Sequence, residues 1–127
     1  MESINSQISV MIVDDEELFV CSLLVNLEDM GFRSSGYLVS EEALQAVQDN
    51  PPDVCIMDLR MPGMNGEELV KEIHKVAPTV RCMILTGSFY KISDELELLG
   101  MTQEYVIQKP INDYPEFFRK ISSLALP

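Results

Sequence analysis

The stretch VCIMDLRMPGMNG, Val54–Gly66, decides the fold of this chain. Its first four residues are apolar and lead directly into Asp58, after which the chain enters a loop that contains proline and glycine. A short apolar run without polar alternation is typical of a strand buried on both faces of a parallel sheet. Because ligands of such sheets bind beyond the carboxyl ends of the strands, the carboxylate at this position indicates a functional site.

Similar runs elsewhere in the chain predict the other strands of this sheet. They are ISVMIV (8–13), FRSSGYLV (32–39), VRCMIL (80–85) and EYVIQ (104–108), and the strand around Asp58 begins with DVCIM (53–57). The run at 32–39 is weaker than the others because Gly36 interrupts it. Together these runs predict five strands.

Segments with helical spacing separate the strands. Ser40, followed by Glu41 and Glu42, predicts a helix whose first turn is capped by the serine hydroxyl. A short segment at 93–99, closed by Gly100, predicts another helix. Three more helices are indicated by apolar residues at the amphipathic spacing: Val20, Leu23, Leu24 and Leu27; Leu69, Ile73 and Val76; and Phe117, Ile121 and Leu124. Strands that alternate with helices predict an α/β doubly wound domain, with a parallel sheet and helices on both faces.

Length, composition and charge narrow the class of protein. We expect the 127 residues to form a single domain, with its core at about residues 8–125. No run reaches the roughly 18 to 20 apolar residues of a membrane helix, and the polar N-terminus does not resemble a secretory signal, so we expect a cytoplasmic protein.

The net charge of −12 argues against a nucleic-acid surface, since phosphates would be repelled. The cysteines lie in apolar runs, which predicts reduced, buried side chains at Cys21, Cys55 and Cys82.

Polar residues stand at the ends of four of the five predicted strands. Asp14 and Asp15 follow the first strand, Asp58 the third, Thr86 the fourth and Lys109 the fifth. The carboxyl ends of parallel strands share one edge of a sheet, so these side chains should converge there. Taken singly, Asp14 could cap a helix, Thr86 could belong to a turn, and Lys109 before Pro110 could be a surface lysine. Only a shared site explains their joint position.

Three converging carboxylates require a positive partner. Two carboxylates about 4 Å apart repel each other by roughly 4 kcal/mol at an effective dielectric constant of about 20. Hard oxygen ligands without histidine or cysteine favour Mg²⁺, with Mn²⁺ as a substitute. Asp58 stands alone at its strand end beside an open loop, which makes it the best candidate nucleophile for an aspartyl phosphate. Asp14 and Asp15 would hold the ion, while Lys109 and Thr86 would contact phosphoryl oxygens.

The segments IVDDE, MDLRMPGMNG, ILTG and QKP, in this order, resemble the receiver domain of two-component response regulators. The resemblance covers roughly residues 9–124 and implies a flavodoxin-like strand order of 2-1-3-4-5. It implies that Asp58 accepts a phosphoryl group from a histidine kinase or histidine phosphotransfer protein, with Mg²⁺ held by Asp14, Asp15, Asp58 and the Arg60 main-chain carbonyl. It also implies that Thr86 swings toward the phosphoryl group, that Lys109 pairs with it, that Lys109-Pro110 is cis, and that homodimers form through the fourth and fifth helices.

The sequence departs from the receiver pattern before the lysine. The family often has an aromatic residue three positions before it, where this chain has Val106; Tyr105 lies one residue earlier. A strand residue one position off points to the opposite face. Either the strand carries a bulge, or this protein switches without the usual aromatic residue. The segment from Gly100 to Lys109 is also about two residues longer than the family pattern.

The leading hypothesis is therefore a phosphorylation-controlled signalling switch that undergoes at most slow self-dephosphorylation, with an output domain or effector that the sequence does not name. A second hypothesis is a Mg²⁺-dependent phosphohydrolase that works through an aspartyl phosphate. Haloacid-dehalogenase-type enzymes need an aspartate two residues after the nucleophile, where this chain has Arg60. A third is a receiver-like interaction module that is not phosphorylated, against which the intact set of site residues argues.

Overall fold

A computed structural model describes residues 4–126 of the chain. Residues 1–3 and 127 of the expected domain lie outside this range. The strands are β1 (Ser9–Val13), β2 (Arg33–Tyr37), β3 (Val54–Asp58), β4 (Arg81–Thr86) and β5 (Val106–Gln108). The helices are α1 (Glu17–Asp29), α2 (Ser40–Asp49), α3 (Gly66–Val76), α4 (Asp94–Leu98) and α5 (Tyr114–Ala125). Two 3₁₀ turns, Ile4–Gln7 and Gln103–Tyr105, precede β1 and β5.

The strands form one sheet of order β2-β1-β3-β4-β5, and all neighbours are parallel. The predicted strand order and the doubly wound arrangement are therefore confirmed. β3 lies at the centre, and all five of its residues are buried. This position explains its uninterrupted apolar sequence, since helices cover both faces of the sheet.

Two clusters of apolar side chains, one on each face, form the core. Alternate residues of each strand point to opposite faces, so Cys55 and Met57 join one cluster while Val54 and Ile56 join the other. The first cluster packs against α2, α3 and α4, and the second against α1 and α5. Burial of one large aliphatic side chain contributes about 1.5–3 kcal/mol to folding stability. The two clusters together therefore stabilise the alignment of the strands.

Gly36, which interrupts the apolar run of β2, has a packing role. A Cβ atom at this position would lie 2.6 Å from Cγ1 of Val20 on α1. Only a residue without a side chain allows the helix to approach the strand so closely.

Three predictions about local structure were wrong. α2 begins at Ser40 itself, and the Ser40 hydroxyl does not cap it; this hydroxyl donates to the Met64 carbonyl oxygen at 2.8 Å. β5 begins only at Val106, because the Gln103 side chain bonds the main chain of Tyr90 and Ile92 and holds the preceding residues in a turn. Cys21 is exposed, since it lies on the α1 face opposite Val20, Leu23 and Leu27, whereas Cys55 is buried and Cys82 half-buried.

The lengths and compositions of the helices show whether any of them could span a membrane. Among residues 4–126, no helix is long and apolar enough to cross a bilayer.

Candidate functional site

The sheet brings the predicted polar residues to one edge, and main-chain hydrogen bonds hold them there. The Asp14 N–H donates to the Tyr37 carbonyl oxygen at 3.1 Å, and the Lys109 N–H donates to the Thr86 carbonyl oxygen at 2.8 Å. These bonds continue the ladders of β1 with β2 and of β4 with β5 beyond the last paired residues. The side chains of Asp14 and Lys109 therefore start from a backbone that the sheet fixes.

Asp14, Asp15 and Asp58 form an acidic cluster in which one carboxylate oxygen from each lies within 4.8 Å of the others. Asp14 is fully buried and Asp58 is 8% exposed, whereas Asp15 is exposed. The oxygen ligands of one octahedral Mg²⁺ lie about 3 to 4 Å apart, so small side-chain rotations would bring the three onto one ion. The donor set therefore fits a small divalent cation with carboxylate ligands.

Lys109 neutralises part of this cluster. Its Nζ atom lies 2.7 Å from Asp14 Oδ2, 3.2 Å from Asp58 Oδ1 and 3.1 Å from Glu16 Oε1. The same ammonium stands 4.4 Å from the ring centroid of Phe19. Burial disfavours the charged lysine, but the hydrogen bonds that the ammonium donates to these carboxylates outweigh that effect and raise the pKa of Lys109 above its ordinary value. Lys109 is therefore positively charged at neutral pH.

Asp58 has an electrostatic environment that opposes its charge. Burial and the nearby charge of Asp14 raise the pKa of the Asp58 carboxyl, although hydrogen bonds from Lys109 and from the Arg60 main chain act in the opposite direction. The Arg60 N–H donates to Asp58 Oδ2 at 3.2 Å. This bond brings the Arg60 peptide group against the carboxylate.

Thr86 ends β4 at the same edge, and its hydroxyl is engaged locally. It donates to the Ser88 carbonyl oxygen at 3.0 Å, and it accepts from the Ser88 N–H at 3.2 Å. Gln108 Nε2 also donates to the Ser88 carbonyl oxygen, at 3.3 Å. The threonine side chain is thus held by its own loop in this conformation.

The loop after Asp58 is fixed by several contacts that depend on its glycine and asparagine residues. Asn65 and Glu68 form a reciprocal capping box at the start of α3. Gly63 has a φ of 75°, which favours glycine. A Cβ atom at Gly66 would lie 2.5 Å from the Asp58 carbonyl oxygen. The Ser40 hydroxyl bond to Met64 ties the loop to α2. The conformation of the loop beside Asp58 is therefore fixed by contacts with both α2 and the start of α3.

An open cleft of about 560 Å³ lies in front of these residues. Asp15, Asp58, Thr86 and Lys109 line it, as their positions at strand ends predicted, whereas Asp14 is buried and does not. Arg60, which the resemblance implied, also lines it. Glu16, Phe19 and Ser88 also line the cleft, and the sequence reasoning missed them. Glu16 directly follows the aspartate pair, which was a signal for its position. Phe19 and Ser88 carried no such signal, because apolar and hydroxyl residues are common near helix starts and turns.

The structure decides between the two alternatives for the residues before Lys109. β4 and β5 pair without a bulge, with Ile84 opposite Val106 and Thr86 opposite Gln108. Val106 packs in the cluster under α2, α3 and α4, whereas Tyr105 packs in the cluster under α1 and α5. The side chain on the face of Ile84 and Thr86 is thus the aliphatic one. The Lys109-Pro110 peptide bond is cis, as the resemblance implied.

Known proteins resemble this chain along most of its length. The family model of the response regulator receiver domain matches residues 10–121. The chain is 31% identical to the alkaline phosphatase synthesis transcriptional regulatory protein PhoP of Bacillus subtilis, over 93% of this chain and 51% of that protein. It is 27% identical to the autoinducer 1 sensor kinase/phosphatase LuxN of Vibrio harveyi, over 84% of this chain and 12% of that protein. The chain thus spans about half the length of PhoP and a small part of LuxN.

Solved structures share the fold. The response regulator protein TrrA from Thermotoga maritima, in complex with Mg(2+)-BeF, superposes with a TM-score of 0.79 and is 27% identical, over 91% of this chain and 97% of that chain. The structure of FixJ-N superposes with a TM-score of 0.77 and is 28% identical, over 98% of this chain and 94% of that chain.

Proposed function

This chain belongs to the response regulator receiver domain family, and from that premise we propose that it is a phosphorylation-controlled switch whose acceptor is Asp58. The donor is the phosphohistidine of a histidine kinase or of a histidine phosphotransfer protein. A carboxylate oxygen of Asp58 forms a bond to phosphorus, while the bond between phosphorus and the imidazole nitrogen breaks and its electron pair stays on the imidazole. Slow hydrolysis of the aspartyl phosphate resets the switch.

The side chains around Asp58 have complementary roles in this proposal. Lys109 binds a phosphoryl oxygen, and Thr86 turns from Ser88 to donate to another. Asp14, Asp15, Asp58 and the Arg60 carbonyl oxygen would hold Mg²⁺, for which Mn²⁺ would substitute. The ion, when bound, neutralises charge on the transferring phosphoryl group. The movement of Thr86 then alters the face made by α4, β5 and α5. Because Val106 stands where the family often has an aromatic residue, this change depends on the packing of an aliphatic side chain.

One observation carries the assignment: Asp58 opens onto the cleft while its carboxylate lies 3.2 Å from Lys109 and beside two further aspartates. A phosphohydrolase of the haloacid-dehalogenase type would need an aspartate as general acid two residues after the nucleophile, and Arg60 is a cation that cannot serve as one. The complete set of predicted site residues argues against a module that is not phosphorylated. Phosphoryl acceptance by Asp58 uses this set and needs no general acid at residue 60.

The proposal extends to partners and location. We place the protein in the cytoplasm, as a single receiver domain over residues 1–127 without a nucleic-acid surface or membrane contact of its own. The similarity to part of LuxN, which is named a sensor kinase/phosphatase, supports a kinase partner. The similarity to about half of PhoP, which is named a transcriptional regulatory protein, supports coupling to an output domain or effector. Homodimerisation through α4 and α5 would link phosphorylation to that output.

Labelling with acetyl phosphate tests the function. The native protein and the Asp58→Asn variant are incubated with Mg²⁺ and acetyl phosphate, and intact mass is measured over time. We expect native protein to gain one phosphoryl group and to lose it after acetyl phosphate is removed, whereas the variant gains none. Rapid phosphate release without accumulation of labelled protein would favour the phosphohydrolase, and an unlabelled native protein that releases no phosphate and also fails to respond to beryllofluoride in NMR spectra would favour the inert module.

A further inference from the structure

The ammonium group of Lys109 has no donor left for a phosphoryl group. A lysine ammonium carries three N–H donors. Its three carboxylate partners, Asp14, Glu16 and Asp58, lie 2.7, 3.1 and 3.2 Å from Nζ. The Phe19 ring covers a further side at 4.4 Å. Any phosphoryl oxygen that binds Lys109 must therefore displace one of these carboxylates.

The three carboxylates differ in how easily Lys109 can leave them. The side chain of Asp14 is 0% exposed, and loss of its cation would leave a buried charge without compensation. The side chain of Asp58 is 11% exposed and carries the acceptor oxygen. The side chain of Glu16 is 67% exposed, so water solvates it as soon as Lys109 leaves. The contact with Glu16 is thus the one that breaks at least cost.

The backbone holds Glu16 where this competition can occur. The Glu16 N–H donates to Asp14 Oδ1 at 3.0 Å, which anchors the residue beside the acidic cluster. Glu16 is the N-cap residue of α1, but its side chain makes no capping hydrogen bond. The carboxylate is therefore free to reach across the cleft to Lys109.

We propose that Glu16 competes with the phosphoryl group for Lys109 and so sets how readily Asp58 is phosphorylated. This inference rests on the proposed function. The Glu16 charge acts twice, because it occupies a donor of Lys109 and it repels the anionic donor that enters the cleft. Its removal frees Lys109 while Asp14 and Asp58 keep the ammonium in position.

The test compares Glu16→Gln with Glu17→Gln. Both substitutions remove one negative charge from neighbouring exposed residues, but Glu17 is not among the carboxylates that contact Lys109. Labelling rates are measured at subsaturating acetyl phosphate with Mg²⁺, and beryllofluoride affinity is measured by NMR titration. We expect Glu16→Gln to increase the labelling rate by about two- to fivefold over Glu17→Gln, the range that corresponds to loss of one exposed ion pair. Beryllofluoride should bind more tightly to Glu16→Gln by a similar factor.

A second measurement needs no divalent cation. Proton–nitrogen spectra of the lysine ammonium groups should show a shifted Lys109 signal in Glu16→Gln and an unchanged one in Glu17→Gln. Equal labelling rates in the two variants, a slower rate in Glu16→Gln, or an unshifted Lys109 signal would overturn the role of Glu16. Failure of the native protein to become labelled at Asp58 would instead overturn the proposed function itself, so the two failures are distinct.

Discussion

Asp58 holds its negative charge at an energetic cost. Its carboxyl is buried beside Asp14, and these two effects together outweigh the hydrogen bonds that favour the carboxylate. The folded protein therefore binds a proton at Asp58 more readily than the unfolded chain does. A site that receives a cation and then a phosphoryl group is expected to carry such an uncompensated charge.

This cost predicts a pH-dependent effect of Asp58→Asn on stability. Because folding raises the pKa of Asp58, the charged carboxylate makes the native protein less stable at neutral pH. The native protein regains this stability as the pH falls through the raised pKa toward the ordinary value, because Asp58 then binds a proton. The variant has no carboxylate to protonate at this position. Without divalent cations, we expect it to be more stable than native protein at pH 7 by about 1 kcal/mol, the scale of a single substitution.

Urea unfolding at a series of pH values, with a chelator present, measures this difference. The advantage of Asp58→Asn should shrink as the solution becomes acidic. A variant that is less stable than native protein at neutral pH would mean that Lys109 compensates the Asp58 charge fully.

At the scale of elements, the start of α3 is built against the end of β3. Gly66 begins the helix, and its N–H donates to the Leu59 carbonyl oxygen at 2.9 Å. A Cβ atom there would lie 2.5 Å from the Asp58 carbonyl oxygen and 2.9 Å from Leu59 Cα. Both neighbours are backbone atoms, so they cannot rotate away. The glycine is therefore required by the close approach of α3 to the end of β3.

A pair of alanine substitutions tests this packing. We expect Gly66→Ala to destabilise the protein by about 1–3 kcal/mol, as overpacking does, even though alanine favours helix. Gly87→Ala serves as the matched control, because a Cβ atom at Gly87 meets no atom within 4 Å. Its effect should stay within about 0.5 kcal/mol. Denaturant midpoints measure both, and equal midpoints would contradict the close approach of α3 to β3.

The sequence predicted some elements better than others. β3 was evident because an unbroken apolar run marks a strand buried on both faces, and α1, α3 and α5 were evident because apolar residues at helical spacing mark an amphipathic helix. The start of β5 was misplaced, since the turn before it depends on the Gln103 side chain, which bonds residues 11 and 13 positions away. The use of the Ser40 hydroxyl was misjudged for the same reason, because its partner Met64 is 24 residues away.

For the whole molecule, folding concentrates negative charge at one edge of the sheet. The chain has a net charge of −12, and Asp14, Asp15 and Asp58 lie together in the described structure. A cation that binds this cluster in the folded state alone must stabilise the fold, by about 2.7 kcal/mol at a concentration one hundred times its dissociation constant.

We therefore expect Mg²⁺ to raise the unfolding midpoint of the native protein in a concentration-dependent way. Asp15→Asn should abolish most of this effect, because Asp15 is an exposed member of the cluster whose loss leaves the core intact. Glu28→Gln on the exposed side of α1 removes the same charge away from the cluster and should preserve the response. Thermal unfolding followed by circular dichroism measures it, and an equal response of all three proteins would argue against binding at the aspartates.

By itself, the sequence determined the order of strands and helices and the placement of Asp14, Asp15, Asp58, Thr86 and Lys109 at strand ends. These features follow from local periodicity and from the rule that parallel strands share an edge. Only the tertiary structure decided which partner each polar group takes: Glu16 on Lys109, Ser88 on Thr86, and Val106 rather than Tyr105 on the face of Thr86. Such choices depend on distances between side chains that meet only after the sheet and its helices have packed.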